Sequence, residues 1–275
     1  MTKQLIRFLL VCGAISFAEN VRTEESLNGV LWMQTSAEYR VSTVQAFRTA
    51  SVRVQQALRD RSITAALEQP ADYQDLPPAV IVDVDETVLD NSPFQARLIE
   101  AGQEFSPALW QNWVQEAQAK AVPGAKDFIE FLKGQGIALF YVTNRELKEP
   151  TLKNIRAVLD PDTEADHVLC KYEQPEWGSD KTPRRALIAE THRVILLIGD
   201  DYNDFTALGK TDAVERALLA EKYQANWGTR WIMISNPLYG NWERALYNYN
   251  YRLPRQEKTA QKRRQLQTIK SLEKD

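Results

Sequence analysis

The feature that most constrains this chain is a set of short apolar runs, each stopped abruptly by polar residues. The first, Ala79-Val80-Ile81-Val82, runs straight into Asp83-Val84-Asp85-Glu86-Thr87. Runs at 137–142 and 194–198 end in Thr143-Asn144-Arg145 and in Asp200-Asp201 with Asp204 close behind. Another run covers 231–234, and a weaker one 167–170. Helical patterns at 125–133, 146–159, 183–191 and 211–224 separate them. Strands that alternate with helices and are apolar throughout belong in a parallel sheet covered on both faces. The expected fold class is therefore α/β, a Rossmann-like parallel sheet with helices on both faces.

Two segments do not fit a simple alternation. Residues 27–69 are rich in Ala, Gln, Arg and Leu and reach no proline until Pro70, which predicts an amphipathic helical stretch. Residues 92–122 are too long for a crossover and contain SPALWQNWVQEAQAK, which predicts a small helical cap. The expected organisation is a helical N-terminal extension at 19–78, a core at 79–253 with the cap inserted at about 92–122, and a polar helix or tail at 254–275.

Residues 1–18 read as a signal peptide. Lys3 and Arg7 precede an apolar run too short to span a bilayer, and Ser16-Phe17-Ala18 offers a cleavage site. An ordinary apolar helix and a lipoprotein cysteine at Cys12 are the alternatives, and membrane attachment is expected only if Cys12 is lipidated. A net charge of −3 argues against a nucleic-acid polymer as partner. If Cys12 leaves with the signal, Cys170 is alone and an internal disulfide is excluded. The expected location is the periplasm or cell envelope.

In open parallel sheets, ligands bind beyond the carboxyl ends of the strands. The polar residues after three separate runs are thus delivered to one edge. Converging carboxylates with few cations require a metal, and an all-oxygen donor set points to a hard ion, Mg²⁺. Such a cation also offsets the repulsion among Asp83, Asp85 and Asp200. Other readings fail: Asp204 stands where a Walker loop needs its first glycine, and Val88 where an EF-hand needs one. His167 and His192, the only histidines, are not spaced as a pair and are expected to be structural.

The segments DVDETVLDNSPF, WQNWVQEAQAKAVPG, FYVTNR, SDKTPRR, GDDYNDF and NPLYGNWE, in that order, resemble the class C acid phosphatases of the haloacid dehalogenase superfamily. That family includes lipoprotein 5′-nucleotidases of bacterial envelopes. The resemblance implies a Mg²⁺-dependent phosphatase acting on small phosphate esters. It casts Asp83 as nucleophile and Asp85 as general acid and then base. Thr143 would bind a phosphoryl oxygen, and Lys181 would neutralise growing negative charge. The metal would be held by Asp83, the Asp85 backbone carbonyl and Asp200, with Asp204 near it. Asn144 and Arg145 would serve substrate binding. Trp110 and Trp113 share a helix face, which by itself suits either a core stripe or a stacking surface. The resemblance favours Trp110 and Tyr239 as an aromatic clamp on a nucleoside. Alternatives of the same fold are a phosphotransferase, a specialised sugar-phosphate phosphatase, and a non-catalytic envelope protein that binds nucleotides.

Overall fold

The structure is a computed structural model that describes residues 26–207 and 211–268. The signal-peptide reading of residues 1–18, Cys12 included, lies outside the described residues, as does the end of the tail from residue 269.

The apolar runs form β1 (Pro78–Val82), β4 (Ala138–Val142), β5 (Val168–Leu169), β6 (Arg193–Gly199) and β7 (Trp231–Met233). They pair in the order β5-β4-β1-β6-β7, and every pairing is parallel. All seven residues of β6 are buried, as expected of a central strand covered on both faces. The helices α5 (Ala125–Gly134), α6 (Lys148–Val158), α7 (Thr182–Thr191) and α8 (Ala213–Lys222) fall where the sequence predicts them.

Alternation along the strands divides the core into two layers. Val80 and Val82 of β1 point toward one side with Phe128 and Leu132 of α5 and Leu152 and Ile155 of α6. Ala79 and Ile81 point the other way, toward Ile188 and Ala189 of α7, Phe205 and Trp231. In β6 the pairing with β1 shifts, so that Ala79 faces Val194 while Val80 faces Leu196. Ile195 is the extra residue, and both Ile195 and Leu196 consequently join the first layer.

The N-terminal segment is helical in two pieces, α1 (Leu27–Thr35) and α2 (Ala37–Arg59). Ser36 breaks the run with extended backbone, and its hydroxyl caps α2 by accepting from the Tyr39 amide. Phe47, Ala50, Val54 and Ala57 of α2 pack into the first core layer. The helix expected to continue to residue 69 stops at Arg59. Beyond it the chain has a better use for its backbone: Ala65 N donates to Val194 O, and the Gln69 side chain bonds the Val194 amide and the carbonyls of Ala189 and His192.

Residues 92–122 contain two helices, α3 (Ser92–Glu100) and α4 (Pro107–Glu116). A short antiparallel ribbon closes the base of this segment. There β2 (Leu89–Asp90) pairs with β3 (Lys120–Ala121), Leu89 facing Ala121. After β7 come α9 (Asn241–Ala245) and the polar α10 (Arg255–Arg264). No described helix is long and apolar enough to cross a membrane.

Candidate active site

From β1 the chain runs outward to β4 and β5, and then returns to the far side of β1 as β6. The carboxyl ends of β1 and β6 therefore flank the crevice where a doubly wound sheet binds its ligands. Asp83 follows β1, and its amide donates to Ile198 O of β6 at 2.9 Å. The next residues turn tightly. The Val84 carbonyl accepts from the amides of Val88 and Leu89, and Glu86 adopts a left-handed backbone with φ 57°. This turn brings Thr87 back over the strand end, where its hydroxyl lies 3.3 Å from both Asp83 Oδ2 and Asp200 Oδ1.

Asp83, Asp200 and Asp204 each offer a carboxylate oxygen within 4.8 Å of the others. Lys181, at the start of α7, reaches the cluster from a fourth element. Its Nζ contacts Asp83 Oδ1 and lies 2.6 Å from Asp204 Oδ1. Burial and mutual repulsion push all three acids up. Asp200 is raised well above the usual range, by burial and then by the Asp83 and Asp204 charges. Asp83 is raised by burial although Lys181 opposes it, and Asp204 is raised to about 7 for the same reasons. Burial disfavours the Lys181 ammonium, but Asp204 and Asp83 outweigh it and hold Lys181 above the ordinary lysine range.

Local packing explains the glycine before Asp200. A Cβ on Gly199 would sit 2.5 Å from Asp204 Cβ and 2.7 Å from its Cγ, so no larger residue fits while Asp204 faces the cluster. Asp201 turns away. It caps the following 3₁₀ turn and accepts from the Asn241 backbone amide at 2.6 Å, tying this loop to the segment after β7.

Asp85 belongs to an adjoining network. Its Oδ1 accepts from Arg145 Nε at 2.8 Å and Asn91 Nδ2 at 2.9 Å. Glu86 is fully buried beside it, bonded to the Asn91 amide and contacted by the Tyr239 hydroxyl. Thr143 is also fully buried at the end of β4. Its hydroxyl accepts from the Arg145 amide, and its carbonyl from Arg184. Asn144 engages both ends of its amide within the chain, donating to Ser179 O and accepting from Arg184.

The aromatic residues divide. Trp113 is buried and donates its indole N–H to Asn91, so it is core. Trp110 is half-buried, packs edge-on to Phe94, and carries the Arg145 guanidinium 5.6 Å from its ring centre. Tyr239 is half-buried on the other side of the network, held through Glu86. The histidines pack on Phe140, His167 at 4.4 Å and His192 at 5.0 Å between ring centres. The Cys170 thiol is buried and pushed up to about 12, chiefly by burial.

Several residues that shape the site were not singled out from the sequence. Asn236 donates to Asp200 Oδ2 at 2.8 Å and stands just past β7, so the rule of polar residues after apolar runs would have found it. Glu86 and Asn91 lie within the first motif, but their burial is tertiary information. Tyr39, on α2, is buried, and its hydroxyl has no hydrogen-bond partner among the described residues. Burial, then the charges of Asp90, Glu86 and Asp200, hold that phenol in its neutral form.

A sheet edge that gathers three carboxylates, one lysine and a threonine hydroxyl is suited to phosphoryl chemistry, and comparison with known proteins agrees. The family model described as HAD superfamily, subfamily IIIB (Acid phosphatase) matches residues 13–242. The class C acid phosphatase from Bacillus anthracis superposes with a TM-score of 0.80 at 32% sequence identity, over 90% of this chain and 99% of that one. The same enzyme with tungstate bound gives the same score and identity, over 90% and 98% of the two chains. The chain is a phosphomonoesterase. It belongs to the HAD subfamily IIIB acid phosphatases and shares the fold of the class C enzymes.

The raised acids lead to a prediction about stability. In metal-free protein they bind protons that the unfolded chain has released, so stability falls as pH rises from about 4 through the Asp204 value of about 7. A divalent cation would bind the ionised carboxylates, so its stabilisation should grow with pH over that window. At a hundredfold excess over Kd it should add about 2.7 kcal/mol, a Tm rise of roughly 5–10 °C. Thermal scans from pH 5 to 8 with Mg²⁺ or with chelator test this. Parallel profiles in the two conditions would contradict it.

Proposed function

We propose that this site hydrolyses small phosphate monoesters, 5′-nucleotides and aryl phosphates among them, with Mg²⁺ and through an aspartyl-phosphate at Asp83. The observation that carries the reading is the cluster of buried Asp83 and Asp204 with half-buried Asp200, whose carboxylates repel one another while Lys181 contacts Asp83 and Asp204. An all-oxygen set with surplus negative charge suits Mg²⁺ better than a softer ion. The Asp83 and Asp200 carboxylates and the Asp85 backbone carbonyl would hold the ion, with Asp204 beside them. When bound, it would neutralise charge on the phosphoryl oxygens and on Asp83.

The residues of the chain account for the rest. An Asp83 oxygen attacks phosphorus, forming the acyl-phosphate bond as the ester P–O bond breaks. Asp85 gives its proton to the departing oxygen. Asp85 then takes a proton from water, the water oxygen attacks phosphorus, and Asp83 is released with inorganic phosphate. Thr143 accepts from the Arg145 amide, which leaves its hydroxyl proton available for donation to a phosphoryl oxygen. Lys181 stabilises the same charge with its ammonium. The tungstate bound by the solved relative is a tetrahedral oxyanion, which supports a site shaped for phosphate.

Trp110 and Tyr239 would accept the leaving group. Both stand at the border of the Asp85 network, and both present part of an aromatic surface. Stacking is worth about 1–3 kcal/mol per ring and tolerates many bases, so broad specificity is expected. The N-terminal segment would direct export to the cell envelope. The test is phosphate release from a panel of nucleotides, sugar phosphates and nitrophenyl phosphate. Turnover should disappear with chelator and return with Mg²⁺. Nucleotide binding without phosphate release in Mg²⁺ would instead support a non-catalytic protein.

A further inference from the structure

We propose that Asn91 is a positioning residue for Asp85, and that it ties the orientation of this acid to the inserted helix α4 through Trp113. The inference rests on the reading of Asp85 as the acid of the reaction.

Asn91 lies at the junction of β2 and α3 and is 0% exposed. Its Nδ2 donates to Asp85 Oδ1 at 2.9 Å and to Glu86 Oε2 at 3.3 Å. Its Oδ1 accepts from Trp113 Nε1 at 2.7 Å and from Arg145 Nη2 at 3.0 Å. The identity of the partners fixes which end of the amide is which. The indole and guanidinium groups only donate, while the two carboxylates supply the acceptors. A flipped amide would set NH₂ against two donors and its oxygen against two carboxylates. Asn91 therefore has one orientation, and Trp113, itself 4% exposed and stacked on Phe94, locks it from α4.

The consequence falls on Asp85. Oδ1 takes both Asn91 Nδ2 and Arg145 Nε, whereas Oδ2 makes no hydrogen bond to any described residue. Arginine alone does not fix the carboxylate, because its fork could hold the group after a rotation about the Cβ–Cγ bond. The single donor of Asn91 selects one rotational state. It leaves Oδ2 as the oxygen open to the leaving group and, in the second half of the reaction, to water. The side chain of Asp85 is 18% exposed, so the carboxylate has an open side.

The experiment compares an alkyl phosphate, whose oxygen needs a proton to leave, with nitrophenyl phosphate, whose oxygen does not. The readout is the first step alone, leaving-group release in a single turnover, because hydrolysis of the aspartyl-phosphate is common to both substrates. Asn91→Ala should lower that rate for the alkyl ester about 10²-fold and for the nitrophenyl ester less than about 5-fold, with KM changed less than about 3-fold. In the Asp85→Asn background the same change should cost less than about 3-fold on either substrate, because the residue it acts through is gone. Trp113→Phe retains the ring packing and removes the indole donor. It should show the same substrate bias at smaller amplitude, and it decides the matter if Asn91→Ala does not fold. Equal losses on both substrates, or full additivity with Asp85→Asn, would overturn the proposal. If Asp85→Asn slows leaving-group release from both substrates equally, the acid reading falls and the proposal with it. If Asp85→Asn is selective and the Asn91 and Trp113 variants are not, only the role of Asn91 falls.

Discussion

Asp83→Asn is expected to lower kcat by about 10⁴-fold or more on every substrate while the protein stays folded. The change is nearly isosteric, so packing at the end of β1 is kept. What disappears is the oxygen proposed as nucleophile, and an amide cannot replace it at neutral pH. The stability side is equally specific. Asp83 is buried among acids that raise one another, and Lys181 chiefly, with the Val84 backbone amide, favours its charge. Removing one carboxylate relieves repulsion with Asp200, and Lys181 keeps Asp204 as a partner at 2.6 Å. In chelator the variant should melt within about 3 °C of the parent, less than the shift from a 2 kcal/mol loss. Turnover within tenfold of the parent would exclude Asp83 as nucleophile, and a collapsed Tm would mean that the carboxylate is needed for folding.

Lys181→Met should damage stability and activity together. Lys181 is 5% exposed, and its ammonium joins two buried carboxylates, Asp83 and Asp204. Removing one partner of a buried ion pair typically costs about 3–5 kcal/mol, because the remaining charges lose their compensation. For a chain of this size the Tm in chelator should fall by roughly 10 °C. Mg²⁺ should restore part of that loss, since Asp83, Asp200 and Asp204 are still present to bind it. It should not restore turnover, which should remain about 10³-fold down without the cation proposed to neutralise the phosphoryl charge. An unchanged Tm in chelator would show that the pair is not worth its desolvation. Full activity with Mg²⁺ would show that Lys181 acts only on the fold.

The parts of this protein that were legible in the sequence are those whose signal is local. β1 and β6 are unbroken apolar runs, and their abrupt polar ends mark both the strand terminus and the ligand edge. Asp83, Asp85, Thr143, Lys181, Asp200 and Asp204 were all anticipated at that edge, by pattern or by family resemblance. Elements whose cause is tertiary were not legible. The ribbon of β2 and β3 has two residues per strand, too few for any periodicity. Residues 60–69 have helical composition, but Ala65 and Gln69 bond to β6 and its neighbours instead. Asn91 looks like an ordinary helix-start residue, and only the convergence of Asp85, Glu86, Trp113 and Arg145 gives it another meaning. Trp113 and Trp110 are equivalent by spacing alone, yet one is core and the other half-buried, because α4 turns only part of that face inward.

The central claim is that phosphorus becomes bonded to Asp83, and it can be tested by trapping. Asp85→Asn with nitrophenyl [³²P]phosphate is the suitable pair, since the first step needs no acid there while the second has lost its base. Rapid acid quench followed by peptide mapping should find the label on Asp83, at close to one per chain, with a burst of nitrophenol of the same size. A burst with the label on another residue, or steady turnover with no labelled protein, would contradict the account.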